Sequence, residues 1–361
     1  MSRPSPTRRQ RGPPGPPGRG RPSARRADPV SETPAPARLL KVLRIAYLAG
    51  LAVLIGWVAR TESDEVLALL GDARPGLIVA SLASSFLLIL IGAWFWTVGL
   101  RIQGHGLGTP RLFSKATVAT SRSLLARYVP GSVWFAVGRV ALLRNAGLPV
   151  GPLSATAILE MATSLTVVLM SGLAVLSLSG GIPGGSAWMV FVAAALIVAT
   201  SPGGGGRVMA WLAARRGIEF ALDWRGYLRL IGINVVFWGW SAVTFLLYLR
   251  AFPAADEFRT LLVVGGFLLT WGIGFLAPFA PQGIGVFELT MATVLQAEGM
   301  ARTVVVLGGY RLVLLARDFI ATSTAEFIAT RQALREPGPL GTHPESGAFH
   351  DPGQDPPGSP R

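Results

Sequence analysis

The chain has 361 residues, 51% of them hydrophobic and only 14% charged, with a mean hydropathy of +0.49. A soluble domain carries about 25% charged residues, so a fully water-exposed fold is excluded and the bilayer must solvate most of this surface. There is no cysteine, and the histidines are His105, His343 and His350 alone, so disulfides, thiolate nucleophiles, a Cys or His metal site and a His-based triad are excluded; neither a metal nor a cofactor is expected.

The net charge of +14 has a local origin: residues 1–44 hold eleven Arg and Lys against Asp28 and Glu32. That pattern reads as a cytoplasmic anchor able to touch anionic lipid, not as a nucleic-acid surface. Residues 1–37 are Pro, Gly, Arg and Ser with few large apolar side chains, which predicts a disordered tail. They are too polar for a signal peptide and too rich in proline for a transit helix. A membrane domain over 38–332 follows, then a second disordered tail over 333–361.

Six spans are predicted, over 39–58, 76–100, 152–179, 187–200, 227–249 and 303–330. A crossing helix needs about 20 apolar residues, so the fourth span is short. Loop charges orient them. The loop 60–75 carries Glu62, Asp64, Glu65 and Asp72 against two arginines and fits the outside. Arg101, Arg111 and Lys115 fit the inside, as do Arg207, Arg215, Arg216 and Arg225; the uncharged 180–186 fits the outside. Both termini are then cytoplasmic, in a multi-pass protein of the cell membrane.

Two further apolar segments, 112–147 and 258–300, are interrupted by Pro and Gly near their middles. Proline removes a backbone donor and restricts the residue before it, so a continuous helix breaks there. The pieces either fold as re-entrant hairpins of opposite sidedness, as in an inverted repeat whose broken helices meet near the midplane, or cross fully and give eight spans. In both cases the fold class is an all-α membrane bundle.

The breaks carry the candidate chemistry. In the first, Ser132 follows Pro130-Gly131 and is placed to cap the next helix, aiming free N–H groups at the break. Arg127 lies just before it, and Arg122 and Arg139 flank it. A helix start with guanidinium groups at membrane depth suits a phosphate, and Tyr128 and Trp134 would line the route of a headgroup. Arg139 fits snorkelling to the interface better than ligand contact. In the second break, Gly283 and Gly285 allow close backbone approach, and Glu288 lies in the first turn of the next helix, where the dipole favours a carboxylate. Glu160, Arg311 and Asp318 are charges within spans, which normally face a partner or a wet cavity. Arg311 and Asp318 share a helix face, and Arg311 is expected to pair with Glu160 or Glu288. The Gly203–Gly206 run lacks the Lys-Ser/Thr of a P-loop and reads as a linker.

Arg122, Arg127-Tyr128-Val129-Pro130-Gly131, Trp134 and Arg139, with Pro281-Gln282-Gly283-Ile284-Gly285-Val286-Phe287-Glu288, resemble the two signatures of the lysylphosphatidylglycerol synthase transmembrane family, the flippase-like domain. The resemblance covers roughly 40–332. Gln282 stands for a frequent Gly, Phe287 for a frequent Arg and Ser132 for a common Lys. The resemblance implies a site built from these residues that moves an anionic phospholipid or a polyprenyl-phosphate-linked lipid between leaflets. Only about 30 residues follow the last span, so the soluble synthase domain of the larger family members, and its enzyme activity, are not expected. The alternative is an accessory membrane protein that binds a lipid or a partner envelope-biosynthesis enzyme without transport. An intramembrane transferase would have to draw its base from Glu160, Glu288 or Asp318.

Overall fold

A computed structural model describes residue 68 and residues 71–104, 108–128, 134–180, 187–215, 220–277, 280, 283–296 and 300–335. The predicted span 39–58, the N-terminal tail and residues 336–361 lie outside them. The described residues form an all-α membrane bundle. In chain order it contains α1 (Pro75–Ile102), α2 (Thr109–Ser123), a 3-10 turn (Leu124–Tyr128), α3 (Trp134–Asn145), α4 (Val150–Leu178) and α5 (Ala187–Thr200). These are followed by α6 (Gly205–Ala214), α7 (Trp224–Leu249), α8 (Thr260–Phe275), α9 (Val286–Leu295) and α10 (Met300–Arg335).

Local chemistry sets the ends. Pro75 opens α1, where its missing N–H costs nothing. Asp223 caps α7 by accepting from the Gly226 N–H at 2.8 Å. Gly104, Gly147 and Gly180, at φ of +79°, +89° and +74°, end α1, α3 and α4. Helix α6 begins inside the Gly203–Gly206 run that reads as a linker and continues beyond it, and α10 runs three residues into the predicted tail.

The bundle is apolar on its outer faces, and its largely apolar interior also holds hydroxyl and charged groups. On α1, Val79, Leu87, Leu90 and Trp94 are exposed while Ser81, Ser85 and Thr97 are buried. Buried hydroxyls join helices: Ser81 Oγ donates to the Thr244 carbonyl at 2.8 Å, and Trp240 Nε1 to the Ser84 carbonyl at 2.9 Å. Lipid tails provide no hydrophobic drive between helices, so such bonds and close backbone approach hold them. Helices α4 and α8 approach most closely. A Cβ on Gly172 would lie 2.5 Å from the Leu269 nitrogen, and one on Gly265 would lie 2.7 Å from the Leu176 nitrogen. Helices α1, α4 and α7 are long and apolar enough to cross a membrane. Helix α10 is longer, and the charges in its middle, Arg311, Arg317 and Asp318, are all buried.

Both interrupted segments fold back into hairpins. Lys115 near the start of α2 donates to the Ala146 carbonyl just after α3, at 2.7 Å. In the second hairpin Thr270 on α8 meets Met291 on α9, and Gly274 meets Gly283. Helices α1 and α7 pair antiparallel: Arg74, before α1, donates to the Arg250 carbonyl after α7 (3.1 Å), and Gln103, after α1, donates to the Ala221 carbonyl before α7 (2.7 Å). Around that pair the packing repeats. Helix α4 lies against α8 as α10 lies against α2, α4 touches α7 as α10 touches α1, and each long helix packs on the hairpin preceding it. Two antiparallel halves with matching neighbours are the arrangement of an inverted repeat.

The tryptophans occupy both helix ends and the bundle interior. Trp211 and Trp224 are exposed near helix ends, but Trp96 and Trp238 are buried and Trp271 borders an internal cavity. Each buried indole N–H that the structure describes finds an acceptor inside: Glu160 for Trp96 and Ser164 for Trp238.

The tip of the second hairpin depends on glycine. Gly283 has φ +66°, and a Cβ there would sit 2.6 Å from the Gly274 Cα. Gly283→Ala is expected to cost about 2 kcal/mol or more, combining left-handed strain with the clash, as read by unfolding in detergent micelles. Gly232→Ala, whose Cβ would meet nothing within 4 Å, is the control. Equal stability of the two variants would refute the close contact.

Candidate functional site

Near the middle of α1, α4 and α7 the helices part around a cavity of about 170 Å³. That is room for several waters or a small headgroup. Both hairpin tips border it, the first through Leu124, Arg127 and Phe135 and the second through Gly274, Phe275, Ala280 and Gly283. Much of the wall is apolar, from Leu88, Ile91, Phe237, Phe267 and Leu314. Its charged lining residues are Arg127, Arg139, Arg317 and Glu160.

Arg139 is not at an interface. It is buried on α3, its Nη1 donates to Glu160 Oε1 on α4 at 2.7 Å, and its guanidinium lies over Trp96 (5.1 Å) and Phe135 (5.5 Å). Glu160 Oε2 accepts from Trp96 Nε1 at 2.9 Å, so both carboxylate oxygens are engaged. The short α3 packs its inner face on α4, which carries Arg139 inward where snorkelling is impossible.

Asp318 is fully buried on α10 and serves two elements. Its Oδ1 accepts from Arg317 Nε and Nη2 at 2.7 and 2.5 Å, and its Oδ2 accepts from the Tyr128 hydroxyl at 3.0 Å. Arg127 Nη1 stands 3.8 Å from the same oxygen and its guanidinium 5.9 Å from the Phe135 ring centroid. Arg127 is therefore the loosely held cation of the cavity. Arg317 was not among the residues expected from the sequence, although a charge in mid-span is the same signal that marked Asp318.

A second joint mirrors the first. Arg311 Nε donates to Glu288 Oε1 at 2.7 Å, with the guanidinium over Trp271 (5.1 Å) and Phe287 (5.4 Å). Phe135 and Phe287 are each the second residue of the returning hairpin helix. Charge is exchanged between the joints: the hairpin helix supplies Arg139 in one and Glu288 in the other, while the following long helix supplies Glu160 and then Arg311. Glu288 Oε2 also accepts from the Gly285 N–H at 2.6 Å and so caps its own helix. Gly285 is held at φ +82°. Of the two partners expected for Arg311, Glu288 is the one found. Glu288, Arg311, Gly285 and Tyr128 support the wall without lining it.

Other expected residues lie elsewhere. Arg122 clasps Glu326 on α10 at 2.5 and 3.0 Å in a half-exposed pair, and Trp134 is exposed. Pro130, Gly131, Ser132, Pro281 and Gln282 are outside the described residues. Among the described residues no cluster of His, Asp or Glu could hold a metal ion.

The fold and cavity define an all-α membrane protein built around a buried cationic chamber. Residues 41–316 match the family described as the lysylphosphatidylglycerol synthase TM region, and the chain belongs to that family. Comparison with curated proteins finds no match. Family membership relates the protein to the handling of membrane lipid.

Proposed function

We propose that the chamber receives the anionic headgroup of a membrane lipid or lipid-linked molecule and passes it between leaflets, while the tails stay in the bilayer. The observation carrying this reading is Arg127: a cation at mid-bundle depth, bordering the cavity beside a hairpin break and held by one loose ion pair. Charges at such depth are costly and tend to mark substrate paths. A polar chamber there lowers the barrier for a headgroup that would otherwise cross hydrocarbon bare. The reading assigns no catalysis, because the carboxylates a transferase would need, Glu160, Glu288 and Asp318, are each engaged by an arginine. It places the protein in the cell membrane with both termini cytoplasmic.

The test is leaflet exchange in proteoliposomes, with labelled anionic, aminoacylated and polyprenyl-phosphate lipids, for wild type and Arg127→Ala. Wild type is expected to speed exchange of one lipid class, with Arg127→Ala losing roughly tenfold or more of that rate, the equivalent of one charge-assisted hydrogen bond of about 1.5 kcal/mol. No exchange by folded, reconstituted protein would instead favour the accessory protein that binds a lipid or an envelope enzyme.

A further inference from the structure

We infer that the chamber selects its guest by charge, taking a headgroup that bears one negative charge, a phosphodiester, and that Glu160 sets this preference. The inference rests on the headgroup reading above. Three guanidinium groups, Arg127, Arg139 and Arg317, border the chamber, and the carboxylates that face them are Glu160 and Asp318. One positive charge is left over among the described residues. Inside a poorly solvated chamber an uncompensated charge is expensive. A monoanion cancels the excess. A phosphomonoester dianion leaves a negative charge, and a zwitterion leaves the positive one in place. A cationic aminoacyl lipid adds to it.

The polar groups bordering the chamber suit phosphate oxygens. Among the described residues Arg127 has its long ion pair to Asp318 as its side-chain partner. Among the described residues, Arg139 Nε and Thr120 Oγ1 are buried donors with no hydrogen-bond partner, on residues that line the chamber. Ser164 Oγ accepts from Trp238 at 2.8 Å, which leaves its own proton to donate. Glu160 is the acid that lines the chamber, so it tunes the net charge without holding the guest.

The experiment measures retention of four lipids by purified protein in detergent at pH 8, using native mass spectrometry. The probes are phosphatidylglycerol (one negative charge), phosphatidic acid, phosphatidylcholine and lysyl-phosphatidylglycerol. A phosphomonoester's second ionisation near about 6 makes phosphatidic acid a dianion at that pH. Wild type is expected to retain phosphatidylglycerol best. Glu160→Gln, which raises the chamber's charge by one, is expected to shift the ratio towards phosphatidic acid by about tenfold. Ser164→Asp removes the excess while leaving every arginine and the Trp238 acceptor in place, and is expected to lose the preference for phosphatidylglycerol. This second variant keeps the test decisive if Glu160→Gln does not fold. Equal retention of all four lipids, or an order unchanged in the folded variants, overturns the charge rule. Ordered retention with no leaflet exchange leaves the charge rule standing and overturns transport instead.

Discussion

Asp318→Asn is expected to lower the unfolding free energy by about 3–5 kcal/mol, the usual consequence of breaking a buried ion pair from one side. Asp318 is the only carboxylate that Arg317 bonds among the described residues, and it also anchors the first hairpin through Tyr128 and Arg127. Asparagine keeps the size and one acceptor but leaves a buried guanidinium uncompensated. Tyr128→Phe, which removes one bond to the carboxylate, is expected to cost about 1.5–3 kcal/mol. Unfolding in mixed micelles reads both. An Asp318→Asn protein as stable as wild type would mean that the Asp318 carboxylate does not hold the first hairpin to α10.

The second large effect belongs to the other joint. Glu288→Ala removes the carboxylate that Arg311 Nε bonds and frees the Gly285 N–H, so a loss of about 3–5 kcal/mol is expected. The informative variant is the exchange Glu288→Arg with Arg311→Glu. Arg139 and Glu160 already make the same joint with that assignment, at the same 2.7 Å and with the same kind of aromatic cage. The exchanged pair is therefore expected to recover much of the loss, short of the helix cap, which arginine cannot supply. If the double variant is no more stable than Glu288→Ala alone, the two joints are not equivalent.

Much of the scaffold is legible in the sequence because hydropathy and proline report on the chain locally. The spans at 76–100, 152–179, 187–200 and 227–249 match α1, α4, α5 and α7 to within a few residues, and the interruptions at Pro130 and Pro281 fall between the paired helices of the hairpins. The side-chain partnerships are less legible, since they depend on which helices become neighbours. Trp96 is indistinguishable in sequence from a belt tryptophan until α1 meets Glu160 on α4. Arg139 resembles an interfacial arginine because α3 is short and the direction of its inner face is a tertiary fact. Arg317 lies one residue off the face shared by Arg311 and Asp318, where neighbouring side chains normally diverge. The length of its side chain brings it back to Asp318.

The net positive charge counted for the chamber among the described residues also has an electrical consequence. A unit charge carried through 100 mV changes in energy by about 2.3 kcal/mol. The chamber's lining residues carry such a charge near the middle of the spanning helices, so a polarised membrane pulls on it. A singly negative guest cancels the charge, and the loaded chamber becomes indifferent to voltage. Under the proposed headgroup transfer, the membrane potential acts on the step without a guest and not on the step that carries one.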